Sequence, residues 1–180
     1  MEEIKAPPAP KEIERKFLLR EALTSELLEN YPFKEKIKQG FLCSDIDKVI
    51  RVRITQSART FGHEAFLTVK GRSTNGGITR TEIETPIPVD VAEQLLSNFG
   101  GNVIEKTRYR IKCYGLEWEV DEFHGVNEGL WVAEVELESE DQGIVKPSWV
   151  GKEVSSDPKF TNVALSLRPF SQWTDEERAK

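Results

Sequence analysis

"KEIERKFLLR", residues Lys11–Arg20, alternates along most of its length. A β-strand sends successive side chains to opposite faces. Read that way, one face carries Glu12, Glu14 and Lys16, and the other carries Ile13, Arg15 and Phe17. Two carboxylates and an ammonium then stand in a row on one side of a short strand. Such a row belongs either to a solvated surface or to a charged site.

Similar segments recur along the chain. "KIKQGFLCS", "KVIRVRITQ", "HEAFLTVKGR", "ITRTEIETPIP", "VIEKTRYRIKCYG", "LEWEVDEFHG" and "LWVAEVELES" all read as strands. "EALTSELLEN" reads as a short helix with Leu23, Leu27 and Leu28 on one side. "VDVAEQLLSNFGG" reads as a second helix, with Asp90 as its N-cap and Gly100–Gly101 as its stop. "STNGG" is a hairpin turn and not a phosphate loop, because no helix follows it. After Ser139 the chain reads as loop, then a short helix near Thr161–Leu167 that Asn162 caps or orients. Eight strands joined mostly by short turns predict an antiparallel sheet. A twisted sheet of that size closes into a barrel or splits into a sandwich. The expected organisation is a Pro-rich tail (1–10), one domain (11–170) and a fraying C-terminal tail (171–180).

Composition narrows the class. The chain has 180 residues, enough for one domain with a sizeable core. Hydrophobic residues make up 38% and charged residues 31%, too rich in aromatic and branched residues for disorder. A net charge of −6 argues against binding a nucleic acid polymer. Cys43 and Cys113 lie far apart and read as free thiols of a reducing compartment. No apolar run reaches the length of a membrane span, and the first residues lack a signal-peptide core. A soluble cytoplasmic protein is expected, with a homodimer left open. His63 and His124 read as surface residues beside turns. Without a Ser/His/Asp arrangement, covalent catalysis is not expected.

Sorting the other strands by parity sharpens the question. One face gathers Arg51 and Arg53; Thr68, Lys70 and Arg72; Arg80, Glu82 and Glu84; Lys106, Arg108, Arg110 and Lys112; Glu117, Glu119 and Asp121; and Glu134, Glu136 and Glu138. The opposite face is mostly apolar, with Val52, Val69, Ile83, Tyr109, Trp118, Val120, Val135 and Leu137. Two architectures fit. Either the apolar faces form a core and the charges meet water, or the barrel is inverted and its charges line a tunnel. The signs are sorted by strand, which gains little at a surface, where an exposed pair contributes about 0–1 kcal/mol. Arginine holds phosphate oxygens bidentately. Carboxylate pairs such as Glu12/Glu14 and Glu134/Glu136 suit a hard divalent cation. A cavity with both would take a metal–polyphosphate.

The motif "EIERK", followed in order by "RVR", "LTVKG", "TRTEIE", "EKTRY", "WEVDEF", "AEVELES" and "WVGKEVSSDPKFTN", resembles the CYTH superfamily, the triphosphate tunnel metalloenzymes. The likeness runs from about residue 11 to 167. It implies an eight-stranded antiparallel closed β-barrel, mainly β with a few peripheral helices, whose charges point inward. It also implies hydrolysis of inorganic triphosphate with Mg²⁺ or Mn²⁺. By the same resemblance Glu12, Glu14, Glu134 and Glu136 hold metal. Lys16 (the catalytic residue of the signature), Arg51, Arg53, Lys70, Lys106 and Arg108 bind phosphate, with Arg80 and Lys159 as additions. Glu82, Glu84, Glu119 and Asp121 support a second metal or orient the basic side chains.

One departure bears on mechanism. Many such bacterial triphosphatases carry "QGY", whose tyrosine is paired with the signature lysine in activating water. This chain has "QGF", so Phe41 offers Lys16 no hydroxyl. Three other functions stay open: an adenylyl cyclase of the class IV type, a thiamine or nucleoside triphosphatase, and a non-catalytic polyphosphate binder. The cyclase ranks lower, because "APPAPK" stands where those relatives place a His-Phe pair.

Overall fold

The computed structural model describes residues 11–29, 34–45, 48–57 and 62–178. The expected N-terminal tail lies outside them. Nine strands form one antiparallel sheet: β1 (Lys11–Leu19), β2 (Lys34–Ser44), β3 (Lys48–Ser57), β4 (His63–Gly71), β5 (Thr79–Ile87), β6 (Ile104–Cys113), β7 (Leu116–Phe123), β8 (Trp131–Glu136) and β9 (Val150–Glu153). Eight close into a barrel in the order β1–β5–β4–β3–β2–β6–β7–β8 and back to β1.

Closure depends on β1 using one edge twice. Lys11–Ile13 pair with Thr81–Thr79 of β5, whereas Phe17 and Leu19 pair with Glu153 and Val150 of β9. Between these pairings the Glu14 amide donates to the Ile78 carbonyl at 3.0 Å, and the Lys16 amide to Ser155 Oγ at 3.0 Å. The other edge runs along β8, from Glu14 opposite Glu136 to Leu18 opposite Val132. Residues 150–153 form β9 where the sequence predicts loop. Four residues reading "VGKE" are too short and too polar to show an alternation, and only the free edge of β1 makes them a strand.

The helices follow the expected stretches with different caps. In α2 (Val89–Phe99) the N-cap position is Pro88, and Asp90 lies in the first turn, where its charge still suits the positive end of the helix. Gly100 ends the helix, and Gly101, at φ 57°, turns the chain toward β6. In α3 (Asn162–Leu167) Thr161 takes the capping role, accepting from the Ala164 amide at 3.2 Å. The remaining helices are α1 (Ser25–Glu29) and α4 (Asp175–Arg178). None among the described residues is long and apolar enough to cross a membrane.

Two apolar layers coat the outside of the barrel. Phe17, Tyr109, Ile111, Trp118, Val120, Ala133 and Val135 pack beneath Leu23, Leu27 and Leu28, with Trp149 edge-on to Trp118 at 5.6 Å. Val52 and Ala65 pack beneath Ala92 and Leu96 of α2. The barrel is therefore the inverted one. Its inner face turns apolar at one end, where Leu18, Ile104, Phe123 and Val132 meet Phe160, Leu165 and Trp173. The C-terminal segment plugs that end. Within residues 171–178, Trp173 is 5% exposed and rests edge-on against Phe160 and Phe170, both at 5.2 Å.

Candidate active site

The inward rows of β1, β3, β4, β5, β6, β7 and β8 line a cavity of about 640 Å³. Its wall carries Glu12, Glu14 and Lys16; Arg51 and Arg53; Lys70; Arg80, Glu82 and Glu84; Arg108 and Arg110; Glu117 and Glu119; and Glu134 and Glu136. The segment Val154–Pro158 and the turn at Gly76–Gly77 fill the seam where β5 leaves β1. At Gly77, φ is 94° and an added Cβ would lie 2.6 Å from the Ser155 carbonyl oxygen, so a side chain has no room there.

Almost every cation is paired. Lys16 Nζ lies 2.8 Å from Glu134 and 3.7 Å from Glu14. Arg108 binds Glu119, Asp121 at 2.7 Å and Glu134 at 2.9 Å. Lys70 contacts Glu82 and lies 3.3 Å from Glu12. Arg80 reaches Glu12 at 2.9 Å and Glu14 at 3.4 Å. Arg51 and Arg53 converge on Glu84 at 3.1 and 2.9 Å. Glu136, by contrast, has no cation within ion-pair distance among the described residues. Burial and then the neighbouring Glu119, Glu12 and Glu14 push its carboxyl up.

Proton affinities follow from this packing. Burial pulls the Lys16 ammonium down, but Glu134 and Glu14 more than offset it and hold it at about 12. Burial raises Glu134 and Lys16 with Arg108 lowers it; the cations win, and its carboxyl stays well below the usual range. Burial and then Arg53 lower Arg51, and burial with Arg51 lowers Lys70. Glu12 and Glu82 form a carboxyl pair. Burial and Glu12 push Glu82 up to about 7, while for Glu12 the same burial is outweighed by Glu82, Lys70 and Arg80, leaving it at about 2.

Most of the residues expected from sequence meet here, with three qualifications. Lys106 and Asp121 do not line the cavity. They lie behind it, 2.5 Å apart, and Asp121 holds Arg108 in place. Lys159 turns away altogether: its ammonium lies over the Trp173 and Phe160 rings at 5.0 and 4.9 Å and donates to the Glu177 carbonyl at 3.1 Å. The docked C-terminus supplies those partners, and local sequence around residue 159 does not foretell them. Neither His63 nor His124 lines the cavity, and His124 Nε2 meets Thr107 Oγ1 at 2.7 Å. Sequence reading missed Ser155 and gave Asn162 only a helix-capping or orienting role; both line the cavity. They lie in loop and helix, so strand parity gives no signal for them.

The donor set suits a hard cation. Among the described residues no three carboxylates form a ready-made metal cage. Glu12, Glu14 and Glu134 are turned onto basic partners, and Glu136 stands without one. That fits a divalent cation held by one or two carboxylates that completes its shell with water and phosphate oxygens.

A closed barrel with its ion pairs inside, apolar layers outside and one end plugged encloses a charged cavity. The CYTH domain matches residues 10–162, and the chain belongs to that family. It is 40% identical over 166 residues to an inorganic triphosphatase of Acetivibrio thermocellus, covering 92% of this chain and 99% of that protein. It is 38% identical over 159 residues to an inorganic triphosphatase of Nitrosomonas europaea, covering 87% and 97%. A crystal structure of an inorganic triphosphatase superposes with a TM-score of 0.59 at 34% identity, covering 87% of this chain and 94% of that one.

Proposed function

We propose that the protein hydrolyses inorganic triphosphate to pyrophosphate and phosphate, with Mg²⁺ or Mn²⁺ bound in the cavity. The observation that carries this reading is an enclosed wall of Arg51, Arg53, Lys70 and Arg80 facing Lys16, Arg108 and a set of carboxylates. The near-complete match to two proteins named inorganic triphosphatase supports it.

The chemistry is displacement at phosphorus. Water adds to a terminal phosphorus, the bridging P–O bond breaks, and pyrophosphate leaves with the bonding electrons. Such a reaction is catalysed mainly by positioning and charge neutralisation. Lys16, Arg51, Arg53, Lys70, Arg80 and Arg108 exchange carboxylate partners for phosphate oxygens and stabilise the departing pyrophosphate. The exchange frees Glu12, Glu14 and Glu134, which with Glu136 would hold the cation. Bound there, it would neutralise phosphate oxygens and polarise water. Lys16, paired with Glu134 and Glu14, supplies a positive charge for phosphate oxygens. A reducing cytoplasm suits the two free thiols, Cys43 and Cys113.

The test offers purified protein tripolyphosphate, ATP and thiamine triphosphate with Mg²⁺ or Mn²⁺, measuring phosphate and cyclic AMP. Phosphate from tripolyphosphate is expected well above that from either organic substrate. Cyclic AMP, or tight binding without turnover, would overturn the proposal. Glu14→Ala and Arg53→Ala are expected to fold and to lose turnover.

A further inference from the structure

The two arginines of β3 share the Glu84 carboxylate, and a side chain that carries no charge, Thr68, holds that carboxylate and Arg51. Arg51, Thr68 and Glu84 form one rung across β3, β4 and β5, each directly opposite the next. Thr68 is fully buried. Its hydroxyl donates to Glu84 Oε2 at 2.7 Å and accepts from Arg51 Nη2 at 3.1 Å. Glu84 in turn accepts from Arg51 Nη2 at 3.1 Å and from Arg53 Nη2 at 2.9 and 3.0 Å. The Nε atoms of both arginines are buried and have no partner.

A hydroxyl has one proton to give, and here the carboxylate takes it. The lone pairs are left for the guanidinium, so the direction of the whole chain of bonds is set. Glu84 alone could rotate to favour either arginine. Tied to Thr68, it presents both oxygens to the two guanidinium groups together.

We propose that Thr68 is a positioning residue for substrate binding, acting through Glu84 to set Arg51 and Arg53 in one orientation for neighbouring phosphate groups. The assignment rests on the reading of those arginines as phosphate ligands. When polyphosphate enters, each arginine trades part of its contact with Glu84 for phosphate oxygens, and Thr68 keeps the carboxylate from following.

The test is steady-state hydrolysis of tripolyphosphate with Mg²⁺ by the full chain, with thermal melting of every variant. Thr68→Val keeps the size and branching and removes the hydroxyl. It should lower kcat/KM about tenfold, mostly through KM, because binding is lost in ground and transition states alike. Thr68→Ser should restore KM to within about threefold of wild type, because it regains the hydroxyl. A role in packing alone predicts the reverse, with valine active and serine impaired. In the Glu84→Gln background, Thr68→Val should add no further loss. If Thr68→Val does not fold, Thr68→Ser and Thr68→Ala make the same comparison, differing only by the hydroxyl. Normal KM in Thr68→Val beside an inactive Arg53→Ala would overturn the proposal alone. A fully active Arg53→Ala would remove the reading of the arginines and the proposal with it.

Discussion

Lys16 illustrates how far a single residue can be read ahead of its surroundings. Its inward direction follows from the alternation of "KEIERKFLLR". Its proton affinity does not, because that depends on Glu134, more than a hundred residues away in sequence and 2.8 Å away in space. With the ammonium held charged, a hydroxyl beside it has no base to complete. Phe41 lines the cavity and also packs against the apolar cluster at the plugged end. We expect Phe41→Tyr to change kcat for tripolyphosphate less than about threefold. A tenfold gain would restore the tyrosine–lysine pairing as the source of activated water. Lys106 gives a second residue-scale test. Burial and then Arg108 push its ammonium down to about 8, against Asp121 and Glu134, from an ordinary 10.5. Between those values the unfolded chain binds more protons than the folded one, so this group makes the fold more stable as pH rises. The melting temperature of wild type relative to Lys106→Met should therefore climb from about pH 8 to about 10.5. A flat or falling difference would contradict the burial of that charge.

At the scale of elements, strand parity was the most legible signal, and it placed nearly every lining residue of β1, β3, β4, β5, β6, β7 and β8. Strand partners were less legible. The pairings β2–β6, β1–β5 and β1–β9 join segments far apart in sequence, and alternation fixes a strand's faces without naming its neighbours. The bulge between Phe41 and Cys43 also resets the parity of β2 near its C-terminal end. The turn before β5 offers a direct measurement. Gly76 and Gly77 both have positive φ, yet only Gly77 has the Ser155 carbonyl oxygen 2.6 Å from a built Cβ. Gly76→Ala bears backbone strain alone, of about 1 kcal/mol. Gly77→Ala bears strain and a clash, about 2–4 kcal/mol together, at about 2–4 °C of melting temperature for each kcal/mol. The larger drop belongs to Gly77→Ala; equal drops would mean that the turn does not press on the Ser155 segment.

The whole molecule is organised by charge. Carboxylates and cations inside the cavity nearly balance, so a bare polyphosphate displaces carboxylates and leaves them unpaired in a poorly solvated space. A divalent cation alone would meet Glu12, Glu14 and Glu134 already engaged and only Glu136 unpaired among the described residues. Each ligand prepares the site for the other, and such coupling is reciprocal. Tripolyphosphate and Mg²⁺ together should raise the melting temperature of an inactive Arg53→Ala variant by more than the sum of their separate effects. Strict additivity would argue that the two bind apart. That the charges face inward was legible in their sorting by strand. The plugged end was not, because it depends on Phe160, Leu165 and Trp173 arriving from a segment without alternation.

The double use of the β1 edge has a consequence for how the protein is made. β1 leaves the ribosome first, yet its partners β8 and β9 emerge more than a hundred residues later. Throughout that interval the growing sheet has no closed form and presents bare edges, the usual template for unwanted association. Glu12, Glu14 and Lys16 place charge along that strand, and charged side chains on an edge strand disfavour such pairing.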